Sequence, residues 1–85
     1  MAYRILFTTQ ASRQFDKLPK AVQEALGVKI HALADNPRPQ GSVKISGTKL
    51  DYRIRAGDYR LLYSVQDDER IVLVVAAGHR REIYR

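Results

Sequence analysis

Apolar residues along this chain change their spacing twice, and the changes mark out its elements. In the opening "AYRILF", Tyr3, Ile5 and Phe7 fall on one face of an extended segment with the β-branched and aromatic content of a strand. The spacing then becomes helical. Ala11, Phe15 and Leu18 within "QASRQFDKL" make one stripe. Val22, Ala25, Leu26, Ile30 and Leu33 make a second between Lys20 and about Ala34, with Lys29 as its polar member. Thr8 or Thr9 supplies a capping hydroxyl for the first helix, and Pro19 ends it and opens the next, where its missing amide costs nothing. "DNPRPQGS" then stops the second helix with two prolines and a glycine.

Beyond that loop the period falls to two. "VKISG", "LDYRIRA" and "YRLLYSV" read as short strands, the last two joined by a Gly57-Asp58 hairpin turn. After the polar turn "QDDER" comes "RIVLVVAAG", apolar on both faces and therefore a central strand. The order β-α-α-β-β-β-β predicts one α+β domain over residues 1–85, with a helical hairpin on one face of a mostly antiparallel sheet.

Strand alternation sorts the charges. Arg53 and Arg55 share a face, opposite Tyr52 and Ile54; in the next strand Arg60 shares its face with Leu62 and Ser64, opposite Tyr59, Leu61 and Tyr63. The tight turn brings Arg53, Arg55 and Arg60 onto one surface. Like charges so close repel unless carboxylates or a bound anion offset them, and Asp51 and Asp58 sit at strand ends. Such a cluster suits phosphate, which the planar guanidinium fork matches. The plain alternative is a sheet face kept soluble by its arginines.

Composition sharpens this reading. In 85 residues, 15 Lys+Arg against 9 Asp+Glu leave a net charge of +6, which favours a polyanionic partner such as nucleic acid. The absence of cysteine excludes disulfides and thiolate metal sites and suits a reducing cytoplasm. No apolar run is long enough for a signal peptide or a membrane span, so the expected setting is cytoplasmic, away from membranes. His31 and His79 stand too far apart in sequence for a metal motif, the serines lie in no nucleophile motif, and the five glycines read as turns. No cofactor or metal is implied.

The chain closes on "AAGHRREIYR", setting His79, Arg80, Arg81, Tyr84 and Arg85 beside its most apolar strand. Imidazole is the side chain that exchanges protons near neutral pH, which makes His79 a candidate general base or acid. The alternative is a sheet-end histidine bonded to backbone. His31, mid-helix, reads as structural.

The residues "RQFDKLPKAVQEAL", "KISG", "YRIRAGDYRLLYSV" and "GHRREIY" together resemble the RelE toxins of the RelE/ParE superfamily, from bacterial type II toxin–antitoxin operons. "GDYRLLY" and "GHRREIY" carry most of the likeness. The resemblance implies a sheet bearing two helices, similar to small microbial ribonucleases. It further implies cleavage of mRNA in the ribosomal A site and neutralisation by a cognate antitoxin that wraps the toxin. By position it puts the catalytic cations at Arg53, Arg55, Arg60 and Arg80 and the active-site aromatic at Tyr84. Arg81, Lys49 and Lys44 join Arg53 and Arg55 as RNA-binding candidates. The two hairpin-strand positions, Arg53 and Arg55, are often lysine in the family. Lysine gives up a proton far more readily than arginine, so a lysine-type base does not transfer to them.

Two other readings compete. A ParE-like gyrase poison needs no nuclease site, and the set Arg60, Arg80 and Tyr84 argues against it. A plain RNA- or ribosome-binding module would use the same arginines only to hold phosphates.

Overall fold

The computed structural model describes residues 2–39, 42–44 and 51–79. Along the chain run β1 (Arg4–Phe7), α1 (Thr9–Asp16), α2 (Lys20–Leu33), β2 (Val43–Lys44), β3 (Asp51–Ala56), β4 (Tyr59–Gln66) and β5 (Ile71–His79). This is the expected order; the remainder of "VKISG" lies outside the described residues. The strands form one sheet in the order β1-β5-β4-β3-β2, antiparallel except for the parallel pair β1 and β5. β5, apolar on both faces, lies inside the sheet, as its composition requires.

Local chemistry sets the helix ends. The Thr8 hydroxyl accepts a hydrogen bond from the Ala11 N–H at 3.0 Å and caps α1. At the other end of α1, Gln23 of α2 brings its amide nitrogen within 3.1 Å of the carbonyls of Phe15, Asp16 and Leu18. The Phe15 carbonyl also accepts from the Leu18 N–H at 3.1 Å, and the two amide hydrogens of Gln23 are shared among these closing carbonyls, which ties α2 to the end of α1. Pro19 stands at the N-cap of α2.

Both helices cover the same side of the sheet. Ala11, Leu26, Ile30 and Leu33 meet Ile54, Leu61, Tyr63, Val65, Val72, Val74 and Ala77 in the core. A clasp closes one end of the sheet. The Arg38 guanidinium donates to both carboxylate oxygens of Asp67, at 3.2 and 2.8 Å, and its Nε donates to the Tyr52 hydroxyl at 3.0 Å. Tyr3 donates to Asp67 at 2.7 Å, and the Tyr63 hydroxyl donates to the Pro37 carbonyl at 2.8 Å. The loop after α2 is thereby tied to β1, β3 and the turn between β4 and β5.

One irregularity governs the opposite end. Leu62 pairs with Ala76 but Tyr63 pairs with Val74, so β5 carries one extra residue, Val75, as a bulge. Ahead of the bulge, Val72 and Val74 face the helices; beyond it, Ala77 does. A residue inserted into a period of two reverses which side chains point where, and everything after Val75 is affected.

Candidate functional site

The register of β3, β4 and β5 builds a cationic surface on the face away from the helices. Arg53 pairs with Leu62, Arg55 with Arg60, and Arg60 with Gly78. Residues paired across antiparallel strands share a face, so Arg53, Arg55 and Arg60 converge there, as alternation predicts. The two-residue turn that makes this possible has Gly57 at φ +61°, a conformation open to glycine at no steric cost. Val43, opposite Arg53, borders the cluster, and a depression of about 230 Å³ is lined by Val43, Arg53, Ile54 and Arg55.

The three arginines differ in setting. Arg55 is exposed, whereas Arg53 and Arg60 are half-buried. Within Arg60, Nε and Nη1 are shielded from solvent and have no hydrogen-bond acceptor among the described residues. A cationic donor withdrawn from water without a partner costs stability until an anion meets it. The Arg38–Asp67 ion pair lies at the far end of the sheet and offers Arg60 no relief.

His79 stands apart from this cluster. It pairs with Tyr59, and the two rings meet edge to face with centroids 5.4 Å apart. Tyr59 lines a cavity of about 380 Å³ with Gln14, Lys17, Leu18 and Pro19, so this pair belongs to the helix side of the sheet. The expected grouping of His79 with the arginines is therefore corrected, and the bulge at Val75 is the reason. Lys44 pairs with Tyr52 and so falls on the face opposite the arginines. Lys49, Arg80, Arg81 and Tyr84 lie outside the described residues.

Two contributors to this end of the sheet were not singled out from the sequence. Gly78 is a strand residue beside Arg60, not a turn. Gln14 reaches from α1 and accepts a hydrogen bond from the Ala77 N–H at 2.9 Å. β1 stops pairing at Phe7, opposite Val74, and Gln14 serves the edge of β5 beyond that point. Gly27, also read as a turn, lies inside α2. A further cavity, about 550 Å³, lies between α2 and β3 and includes Lys29, Ala32, Pro39 and Ile54.

The fold has counterparts among known proteins. The chain is 34% identical over 88 residues to the mRNA interferase toxin RelE of Escherichia coli strain K12, covering 99% of this chain and 92% of that one. It is 35% identical over 91 residues to Toxin RelG of Mycobacterium tuberculosis, covering 100% of this chain and 99% of the relative. The chain belongs to the RelE family of toxins. The family model that matches it, over residues 5–84, is described as the ParE toxin of a type II toxin–antitoxin system, parDE. The crystal structure of the intact E. coli RelBE toxin–antitoxin complex superimposes on this RelE-family chain with a TM-score of 0.84. Its sequence identity is 31%, over 92% of this chain and 96% of that one. The α+β fold and the family expected from "GDYRLLY" and "GHRREIY" are both borne out.

Proposed function

We propose that this toxin is a ribosome-dependent endoribonuclease that cuts mRNA in the A site and is held in check by a cognate antitoxin. The observation that carries the reading is Arg60: two enclosed guanidinium nitrogens without an acceptor among the described residues, on the face shared with Arg53 and Arg55. The relative named mRNA interferase toxin RelE supports the substrate class, and the solved RelBE complex supports the antitoxin partner.

RNA brings its own nucleophile. The 2′-oxygen forms a bond to the adjacent phosphorus as the bond from phosphorus to the 5′-oxygen breaks, leaving a 2′,3′-cyclic phosphate. The 2′-hydroxyl proton leaves to a base, and the departing 5′-oxygen takes one up. Negative charge grows on the non-bridging oxygens meanwhile, and fixed cations aimed at it lower the barrier. In this reading Arg60, with Arg80 from the tail, holds the scissile phosphate, and Arg53 and Arg55 hold flanking phosphates. Tyr84 stacks on an unpaired base and helps align the strand for in-line attack.

Inducible expression with 5′-end mapping of cellular transcripts tests the reading. The parent chain should cut within translated frames, and Arg60→Ala, Arg80→Ala and Tyr84→Ala should each lose cleavage, with about 10²-fold loss for a phosphate-stabilising arginine. The family model's ParE description favours a second reading, inhibition of DNA gyrase. Growth arrest with intact transcripts and gyrase-linked DNA breaks would select it.

A further inference from the structure

Gly78 has no internal reason to be glycine. Among the described glycines only Gly57 has a positive φ, so the backbone at Gly78 admits any residue. A Cβ built there meets no heavy atom of the described residues within 4 Å, so none of those neighbours excludes a side chain. Glycine inside a strand nonetheless weakens it, and it tends to stand where a ligand or another backbone comes close.

What the position faces supplies the reason. Across β3, β4 and β5 one row reads Arg55, Arg60, Gly78, on the face away from the helices. The row holds two guanidiniums and a gap, and the guanidinium next to the gap is the one with two enclosed nitrogens and no acceptor. Directly opposed Cβ positions lie about 4.5–5.5 Å apart, so a side chain at 78 would occupy space beside Arg60 that the described residues leave empty. An anion lying there would stand beside the Arg60 guanidinium and dilute the repulsion between Arg55 and Arg60.

We infer that Gly78 is a binding residue whose missing side chain leaves a seat for one RNA phosphate against Arg60. The assignment rests on the nuclease reading above. The bulge at Val75 is what turns position 78, instead of 77 or 79, toward Arg60. Gln14, through its bond to the Ala77 N–H, holds that phase.

The test is a graded pair of substitutions in the full chain, Gly78→Ala and Gly78→Val. Inorganic phosphate titrated into the parent should shift the Arg60 Nε–Hε NMR resonance. The response should weaken about tenfold in Gly78→Ala, the scale of one charged hydrogen bond, and vanish in Gly78→Val. Cleavage of ribosome-bound mRNA should fall in the same order. Thermal midpoints should stay level or rise, because the Cβ has room and glycine's entropic cost is removed.

A parent whose Arg60 ignores phosphate overturns the seat, as does parent-like cleavage by Gly78→Val. So does a marked loss of thermal stability in both variants, which would mean that the protein itself excludes the side chain. The parent and Arg60→Gln together separate the two levels. A parent that leaves ribosome-bound mRNA uncut fails the nuclease reading, whereas an Arg60→Gln variant that cleaves like the parent fails the seat. If it is inactive while Gly78→Val is fully active, only the assignment of Gly78 fails.

Discussion

Arg55 and Arg60 stand directly opposite each other across the β3–β4 hairpin, and no carboxylate among the described residues is paired with either. Opposed like charges cost a sheet about 0.2–1 kcal/mol. A fold gains nothing from keeping both unless a ligand uses them, so stability and activity should respond in opposite directions. Arg55→Thr is expected to raise the denaturation midpoint by that increment while cutting mRNA cleavage about tenfold, one charge-assisted contact being lost. Joint loss of stability and activity would mark Arg55 as a structural residue instead.

His79 meets Tyr59 on the helix side, the wrong face for a proton transfer beside Arg60. The pH–rate profile of His79→Gln should therefore superimpose on that of the parent. A general acid or base contributes about 10²–10⁴-fold. A drop of that size, with one limb of the profile gone, would return His79 to the mechanism.

His79 also shows where pattern reading stops. The apolar spacing of Val22, Leu26, Ile30 and Leu33, the hydroxyl of Thr8 and the Gly57-Asp58 turn all act within a few residues, and α1, α2 and the hairpin formed where those signals lie. Arg53, Arg55 and Arg60 were legible for the same reason, since a two-residue turn fixes register and alternation does the rest. Val75 is different. In "IVLVVAAGH" every residue from Ile71 to Ala77 is apolar, so no polar position betrays a change of phase. Ahead of the bulge β5 pairs with both β1 and β4, and beyond it with β4 alone, so the change of phase is set by tertiary pairing. The face of Lys44 is likewise set by how β2 registers against β3, which its own segment does not encode. Gly78 was visible, but glycine signals turns so often that its place inside a strand carried no weight.

Asp67 links the clasp to pH. The hydrogen bonds from Arg38, and then that from Tyr3, hold its carboxyl below the usual carboxylate range. The unfolded chain thus takes up the proton first as pH falls, and in that interval the unfolded state binds more protons than the folded one. The Asp67 contribution is present above about pH 4, the unfolded value, and is lost as pH drops through the lower folded one. Asp67→Asn should flatten this acid limb in chemical denaturation followed from pH 6 downwards, below the unfolded carboxylate value of about 4. An unchanged limb would show that Asp67 is not linked to folding.

Arg70 is the one non-glycine residue with positive φ among those described, at 55°, just ahead of β5. Its N–H donates to the Asp67 carbonyl at 3.2 Å and its carbonyl accepts from the Arg4 N–H at 2.8 Å, so the turn and the start of β1 hold it there. The left-handed conformation costs an L-residue about 1–2 kcal/mol. Arg70→Gly removes that cost but gives the unfolded chain more freedom, worth about 0.4–1 kcal/mol, leaving a net gain near half a kcal/mol. For a domain of this size the thermal midpoint should rise by about 2–4 °C. Arg70→Ala separates backbone from side chain: it removes the guanidinium and keeps the Cβ, so it should bring no such rise. If alanine stabilises as much as glycine, the gain comes from relieving the positive charge, and the backbone at position 70 is not under strain.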